Sequence, residues 1–119
     1  MPPEDAAYLL DMLEAAEAIA RYVRQKTQQQ YMSDEILRDA IERRIEIVGE
    51  AARKVSDIFK AAHPEISWRK IIAQRHVIAH DYGEIDHGIL WVVATVHVPE
   101  LINQLKPLIP PPPPDPEPM

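Results

Sequence analysis

The chain has 119 residues, of which 46% are apolar, a formal net charge of −6 and no cysteine. That length supports one domain with a single modest core. The absence of cysteine excludes disulfides, zinc–thiolate centres and thiol nucleophiles, and the negative charge excludes indiscriminate attraction to a phosphate backbone.

Only three glycines occur, and no stretch alternates apolar with polar residues for the length of a strand, so the expected class is all-α. A first helix follows Pro3, with Glu4 and Asp5 set against the positive end of its dipole. Its expected core stripe is Leu9, Leu13, Ala16, Ala20 and Val23, and the polar run from Gln25 to Gln30 frays it into a connection. Ser33, Asp34 and Glu35 open a second helix, whose stripe Leu37, Ile41, Ile45, Val48, Ala52, Val55, Phe59 and Ala62 runs unbroken until Pro64. Ser67 caps a third helix that turns Ile71, Ile72 and Ile78 inward and ends near Gly83. Asp86 caps a fourth, carrying Leu90, Val93, Val96, Leu101 and Leu105, with a kink expected at Pro99.

Short connections make this an up-and-down four-helix bundle over residues 1–106. Eight of the twelve prolines fall between Pro107 and Pro118, so residues 107–119 read as an extended or disordered tail. The expected location is the cytoplasm, with no membrane contact. The start, Met1-Pro2-Pro3-Glu4-Asp5, lacks the basic opening and apolar core of a secretory signal, and Ile89 to Val98 is short for a bilayer span.

Chemistry is concentrated in one segment. Residues 75 to 82 bring Arg75, His76, His80, Asp81 and Tyr82 together. An arginine can hold a phosphate through paired hydrogen bonds, and a histidine titrates near neutrality and can move protons in either direction. Such a pair suits RNA cleavage by the ribose 2′-hydroxyl, an internal nucleophile already beside the phosphorus, with no metal or cofactor required. One copy makes a sparse site, whereas a symmetric homodimer would set two arginines and two imidazoles around one cleft.

Plainer readings stand beside these. Arg75 can pair with Asp81 or Glu84, Tyr82 can be a core aromatic, and His76 with His80 has metal-pair spacing without the glutamate of an HExxH motif. The other cations, Arg38, Arg43, Arg44, Arg53, Lys54, Lys60, Arg69 and Lys70, read as solvated faces interleaved with Glu42, Glu46, Glu50 and Asp57. His63, His87 and His97 read as surface or packing residues.

Arg75 and His80, with four residues between them, resemble the RxxxxH signature of HEPN domains, and Tyr82 extends it to the RxxxxHxY form of HepT toxins. Ile47-Val48-Gly49-Glu50-Ala51-Ala52, Pro64-Glu65-Ile66-Ser67-Trp68, Leu90-Trp91 and Pro99-Glu100-Leu101 are similar to flanking pieces of that family in the same order. The resemblance covers about residues 5 to 106 and implies a dimeric helical bundle with endoribonuclease activity. It further implies that Arg75 holds the phosphate, His80 is the acid-base group, and Tyr82 receives AMP from a minimal nucleotidyltransferase antitoxin. His76 stands where the family often has asparagine and is a candidate assisting residue. The competing expectation is a non-catalytic dimeric HEPN protein that binds RNA or nucleotide, or scaffolds the nucleotidyltransferase.

Overall fold

The computed structural model describes residues 2–80 and 86–110, the side chains of residues 75–80 excepted. Every regular element among them is helical. In chain order these are α1 (Pro3–Val23), α2 (Gln28–Ser33), α3 (Glu35–Lys54), α4 (Asp57–Ala62), α5 (Trp68–His80) and α6 (His87–Val92). A π-helical turn (Val93–His97), α7 (Val98–Leu105) and a 3₁₀ turn (Lys106–Leu108) complete the fold.

The long helices α1 and α3 pack along each other, α5 lies on α3, and α7 lies on α1. Because α1 serves both α3 and the last helical segment, it buries a broad arc. Leu9, Met12, Ala15, Ala16, Ala18 and Ile19 are all buried, while the expected Leu13, Ala20 and Val23 sit only at its margins. An alanine-rich helix is apolar over too wide an angle for periodicity alone to locate its buried face.

The polar run after α1 does not simply fray. Gln25 takes a left-handed φ of 61°, and Thr27 then forms a capping box with Gln30, whose side-chain oxygen lies 2.8 Å from the Thr27 N–H. The Gln30 N–H donates to the Thr27 hydroxyl at 3.1 Å. Two otherwise orphaned donors are thereby satisfied, α2 starts, and Tyr31 is delivered into the core with no exposed surface.

The expected single helix from Glu35 to Ala62 is two helices, α3 and α4. Asp34 caps α3 by accepting the Leu37 N–H at 3.0 Å. At its other end, Asp5 is buried to 2% exposure and accepts both the Ser56 N–H, at 2.8 Å, and the Ser56 hydroxyl, at 2.6 Å. The Ser56 amide is thus withdrawn from the helical ladder, and its hydroxyl oxygen accepts the Phe59 N–H to start α4. Val55 stays buried and Phe59 half-buried across the break, so the apolar spacing persists although the helix does not.

Before α5, the Trp68 indole donates to the His63 carbonyl at 2.9 Å and Ile66 is buried, which seats the helix on the Val48–Val55 end of the core. Ile71 and Ile72 pack against that core, as expected, and Ile78 lies outside the described side chains. Asp86 caps α6 by accepting the Ile89 N–H at 3.2 Å. The disturbance expected at Pro99 takes the form of the π turn just before it. Proline cannot donate to the carbonyl four residues back and its ring crowds that carbonyl, so the preceding turn widens and the Val98 N–H bonds Val93 five residues back. Beyond Lys106 the chain stays packed for a few residues, with Leu108 and Ile109 against the core; residues 111–119 of the proline-rich tail lie outside the described residues.

The Asp5–Ser56 contact yields a stability prediction. Replacing Asp5 by Ala strips the half-buried Ser56 N–H and hydroxyl of their acceptor and should lower unfolding free energy by about 1–3 kcal/mol. Urea unfolding checks this; an unchanged midpoint in Asp5→Ala would remove the contact from the list of structural ties.

Candidate active site

The motif lies in the second half of α5. Arg75, His76 and His80 are on that helix, their side chains outside the described residues, and Tyr82 lies outside them entirely. Helical geometry separates the Arg75 and His80 positions by about 7.5 Å of rise and about 140° of rotation. The two positions therefore point to different sides of α5. A phosphate can be reached from both only by long side chains converging over the helix end, or with the help of a second copy.

Beside α5 runs a groove of about 630 Å³, walled by Lys70 and Gln74 on one side and by Val93, His97 and Gln104 on the other. Ile19, Ile45 and Val48 reach its floor. Arg69 and Lys70 are exposed on α5 upstream of the motif. Elsewhere the cations behave mostly as expected of solvated faces: Arg43 pairs with Glu46 at 3.5 Å, and Arg53 and Lys54 pair with Glu50 at 2.8 and 3.7 Å. Arg38 departs from that reading, since its guanidinium donates to the Tyr31 and Met32 carbonyls at the end of α2. Among the described residues no group of three or more His, Cys, Asp or Glu side chains is arranged to hold a metal ion.

A second cluster was not anticipated. His87, expected to be a surface or packing residue, sits with its Nδ1 3.4 Å from Glu42 Oε1, and the two side chains are 32% and 15% exposed. The Tyr31 ring meets His87 edge-on, with centroids 6.3 Å apart, and tilts against Trp91 at 5.3 Å. Burial pushes the Tyr31 hydroxyl up to about 12, with the Glu42 carboxylate adding to the rise. Burial also raises the Glu42 carboxyl above its ordinary range, against the opposing pull of His87. Glu42 is therefore not part of a solvated charge run. It lies about 100° round α3 from Ile41, at the edge of the buried stripe, and that offset is the one sequence signal from which its burial could have been read.

The protein-family comparison matches residues 12–108 to the family described as ribonuclease HepT-like. The chain belongs to the HepT-like ribonuclease family. It is 33% identical over 101 residues to a Thermococcus cleftensis protein named "Probable ribonuclease HepT", covering 85% of this chain and 92% of that one. A Methanocaldococcus jannaschii protein named "Putative RNase MJ1380" is 27% identical over 100 residues, covering 84% of this chain and 92% of its own length. A second protein of that organism, named "Gamma-glutamylcyclotransferase and putative RNase MJ0434", is 32% identical over 98 residues, which is 82% of this chain and 44% of the relative. No solved structure matches the chain. The HepT-like match extends from the middle of α1 through the 3₁₀ turn, so the second half of α1, all of the other three long helical segments and the RxxxxHxY motif fall inside it.

The buried tyrosine gives this HepT-like chain a defined response to alkali. Tyr31 has a folded-state pKa of about 12, above its ordinary 10.0, so its neutral form is favoured by folding. The corresponding stability is present below pH 10.0 and is lost as pH rises toward about 12. Tyr31→Phe should keep the ring packing and flatten that part of the loss. Thermal melts recorded across this alkaline range should therefore fall less steeply for Tyr31→Phe than for the parent; parallel curves would contradict the assignment.

Proposed function

We propose that this chain is the toxin of a prokaryotic toxin–antitoxin pair, a cytoplasmic, metal-independent endoribonuclease that acts on cellular RNA as a homodimer. The observation that carries this reading is membership of the HepT-like ribonucleases together with an intact Arg75, His80 and Tyr82 inside the matched span. In the proposed reaction the ribose 2′-hydroxyl attacks the adjacent phosphorus and the bond to the 5′-oxygen breaks, leaving a 2′,3′-cyclic phosphate and a free 5′-hydroxyl. His80 serves as the acid-base group, and Arg75 offsets the charge that builds on the phosphoryl oxygens. His76 is an assisting residue. Tyr82 is the acceptor for AMP delivered by a minimal nucleotidyltransferase antitoxin, which would place a phosphate near the cation that holds RNA.

The dimer reading is supported by an apolar stripe that the monomer leaves uncovered. Ile89, Val92 and Val96 are 56%, 45% and 56% exposed on the outer side of the segment whose inner side, Leu90, Ala94 and Val98, is buried. By length and composition His87–Leu108 is apolar enough to match a membrane span, contrary to the shorter stretch expected from sequence. Its inner stripe nevertheless belongs to the bundle core, which makes a second copy the fitting cover for the outer one.

Three experiments test the proposal. Total RNA should be cleaved in the presence of EDTA, and His80→Ala and Arg75→Ala should each reduce the rate by about 10²–10⁴. Tyr82→Phe should cleave normally and escape modification by the nucleotidyltransferase. Full activity in His80→Ala, or a strict need for added metal, would refute the mechanism; RNA binding without cleavage would favour the non-catalytic reading. Separately, light scattering should show a dimer at micromolar concentration that Val92→Glu with Val96→Glu converts to a monomer, and a parent chain that is already monomeric would end the dimer model.

A further inference from the structure

Beside α5 the bundle is not closed. α5 packs on α3 and α7 packs on α1, and between α5 and the last helical segment lies the groove of about 630 Å³. One end of it is tied, where the Gln104 side-chain N–H donates to the Glu65 carbonyl at 2.9 Å. The runs from Glu65 to His80 and from Ile89 to Gln104 are equal in length and opposite in direction, so the Ile89 end of the groove comes roughly level with the second half of α5. The groove therefore leads from a tied end toward the part of α5 that carries the motif positions.

Its shape and lining select the occupant. Ile45 and Val48 form a recessed aliphatic floor, each only 5% exposed, so whatever enters must present a narrow apolar surface. The rim is polar, and its two walls differ. On α5, Lys70 and Gln74 stand one turn apart, with exposed Arg69 adding to the positive charge. On α7, Glu100 and Gln104 stand one turn apart; the Gln104 nitrogen is committed to Glu65, so both offer oxygen acceptors. His97, nearer the Ile89 end, is exposed and can donate or accept. Cations on one side, acceptors on the other and an aliphatic slot between them match the three parts of a nucleotide: its phosphate, the donor edge of its base and the flat ring. The stripe of Ile89, Val92 and Val96 is by contrast apolar throughout, so it and the groove call for different occupants.

We propose that this groove is a nucleobase subsite for single-stranded RNA, taking a guanine next to the cleaved phosphate. The assignment to a substrate rests on the ribonuclease reading above. Guanine carries two neighbouring donors on one edge, N1–H and the N2 amine, and a carboxylate accepts both in parallel. Uracil presents a single donor flanked by two carbonyl oxygens, which would face the oxygens of Glu100 and Gln104 and be repelled. Glu100 and Gln104 thus choose the base, the floor packs on its face, and Lys70 draws the phosphate chain over the slot without reading sequence.

The direct probe is guanosine 5′-monophosphate added to the full chain, followed through the methyl resonances of Ile45 and Val48. Millimolar guanosine monophosphate should shift both, uridine 5′-monophosphate should shift them far less, and Lys70→Ala should weaken the two nucleotides alike. Cleavage gives the second readout. On oligoribonucleotides that differ only in the base beside the scissile bond, kcat/KM should favour guanine over uracil about tenfold. Glu100→Gln turns half of the carboxylate into a donor at an exposed position, and should bring that ratio close to one. Equal methyl shifts with the two nucleotides, or a guanine preference that survives Glu100→Gln, would overturn the subsite. So would the absence of any shift; methyl shifts that instead follow dilution to the monomer would identify a second copy as the occupant. If the parent cleaves no RNA but binds guanosine monophosphate selectively, and Glu100→Gln removes that selectivity, the ribonuclease reading fails and the guanine site stands.

Discussion

The packing of α1 against α3 is the constraint on which everything else rests. Leu9, Met12, Ala15, Ala16 and Ile19 on one helix and Ile41, Ile45, Val48, Ala51, Ala52 and Val55 on the other bury nearly all of their side chains. Small residues along this seam let the two helices approach closely, and the flanks that remain apolar are then covered by α5 on one side and α7 on the other. The motif helix has no independent footing. Its Trp68, Ile71 and Ile72 lie on the Val48–Val55 end of that seam, so the direction in which Arg75 and His80 project is set by a pairing of helices earlier in the chain.

Electrostatics follow the same division. An acidic chain that acts on RNA must gather positive charge locally, and several of its cations are already committed. Arg43, Arg53 and Lys54 face glutamates, and Arg38 satisfies carbonyls at the end of α2. Arg69 and Lys70 lie exposed on the helix that also carries Arg75, a placement suited to drawing a phosphate chain toward that helix while the rest of the surface repels it.

What was legible in the sequence was whatever local chemistry determines. The all-α class, the caps at Asp34 and Asp86, the start of α1 at Pro3 and the disturbance before Pro99 each depend on residues within one or two turns of the event. The division of α3 from α4 was not legible, because its cause, Asp5, lies 51 residues from Ser56 and the apolar spacing runs straight through the break. The buried arc of α1 was misplaced for a related reason: alanines do not say which side is inward until a partner is chosen. The Thr27–Gln30 capping box was visible as a pattern, but it was obscured by the polarity of its neighbours. At the site, the motif residues could be singled out from type and spacing, whereas the Glu42–His87 contact joins two residues that were each unremarkable alone.

The last helical segment presents two apolar surfaces. At about 100° per residue, Leu90, Ala94, Val98, Leu101 and Leu105 fall within about 80° of one another on a regular helix, and all five are buried. The π turn at Val93–His97 widens the backbone ahead of Pro99, and the Thr95 hydroxyl donates to the Trp91 carbonyl at 2.7 Å beside it. Ile89, Val92 and Val96 lie together on the outer side, and Ile89 also lines the groove along α5. A second copy laid on that stripe would bring its own α5 close to the first. The Arg75 and His80 positions diverge by about 140° on one helix, and two such helices brought side by side could contribute an arginine from one and a histidine from the other to a single phosphate.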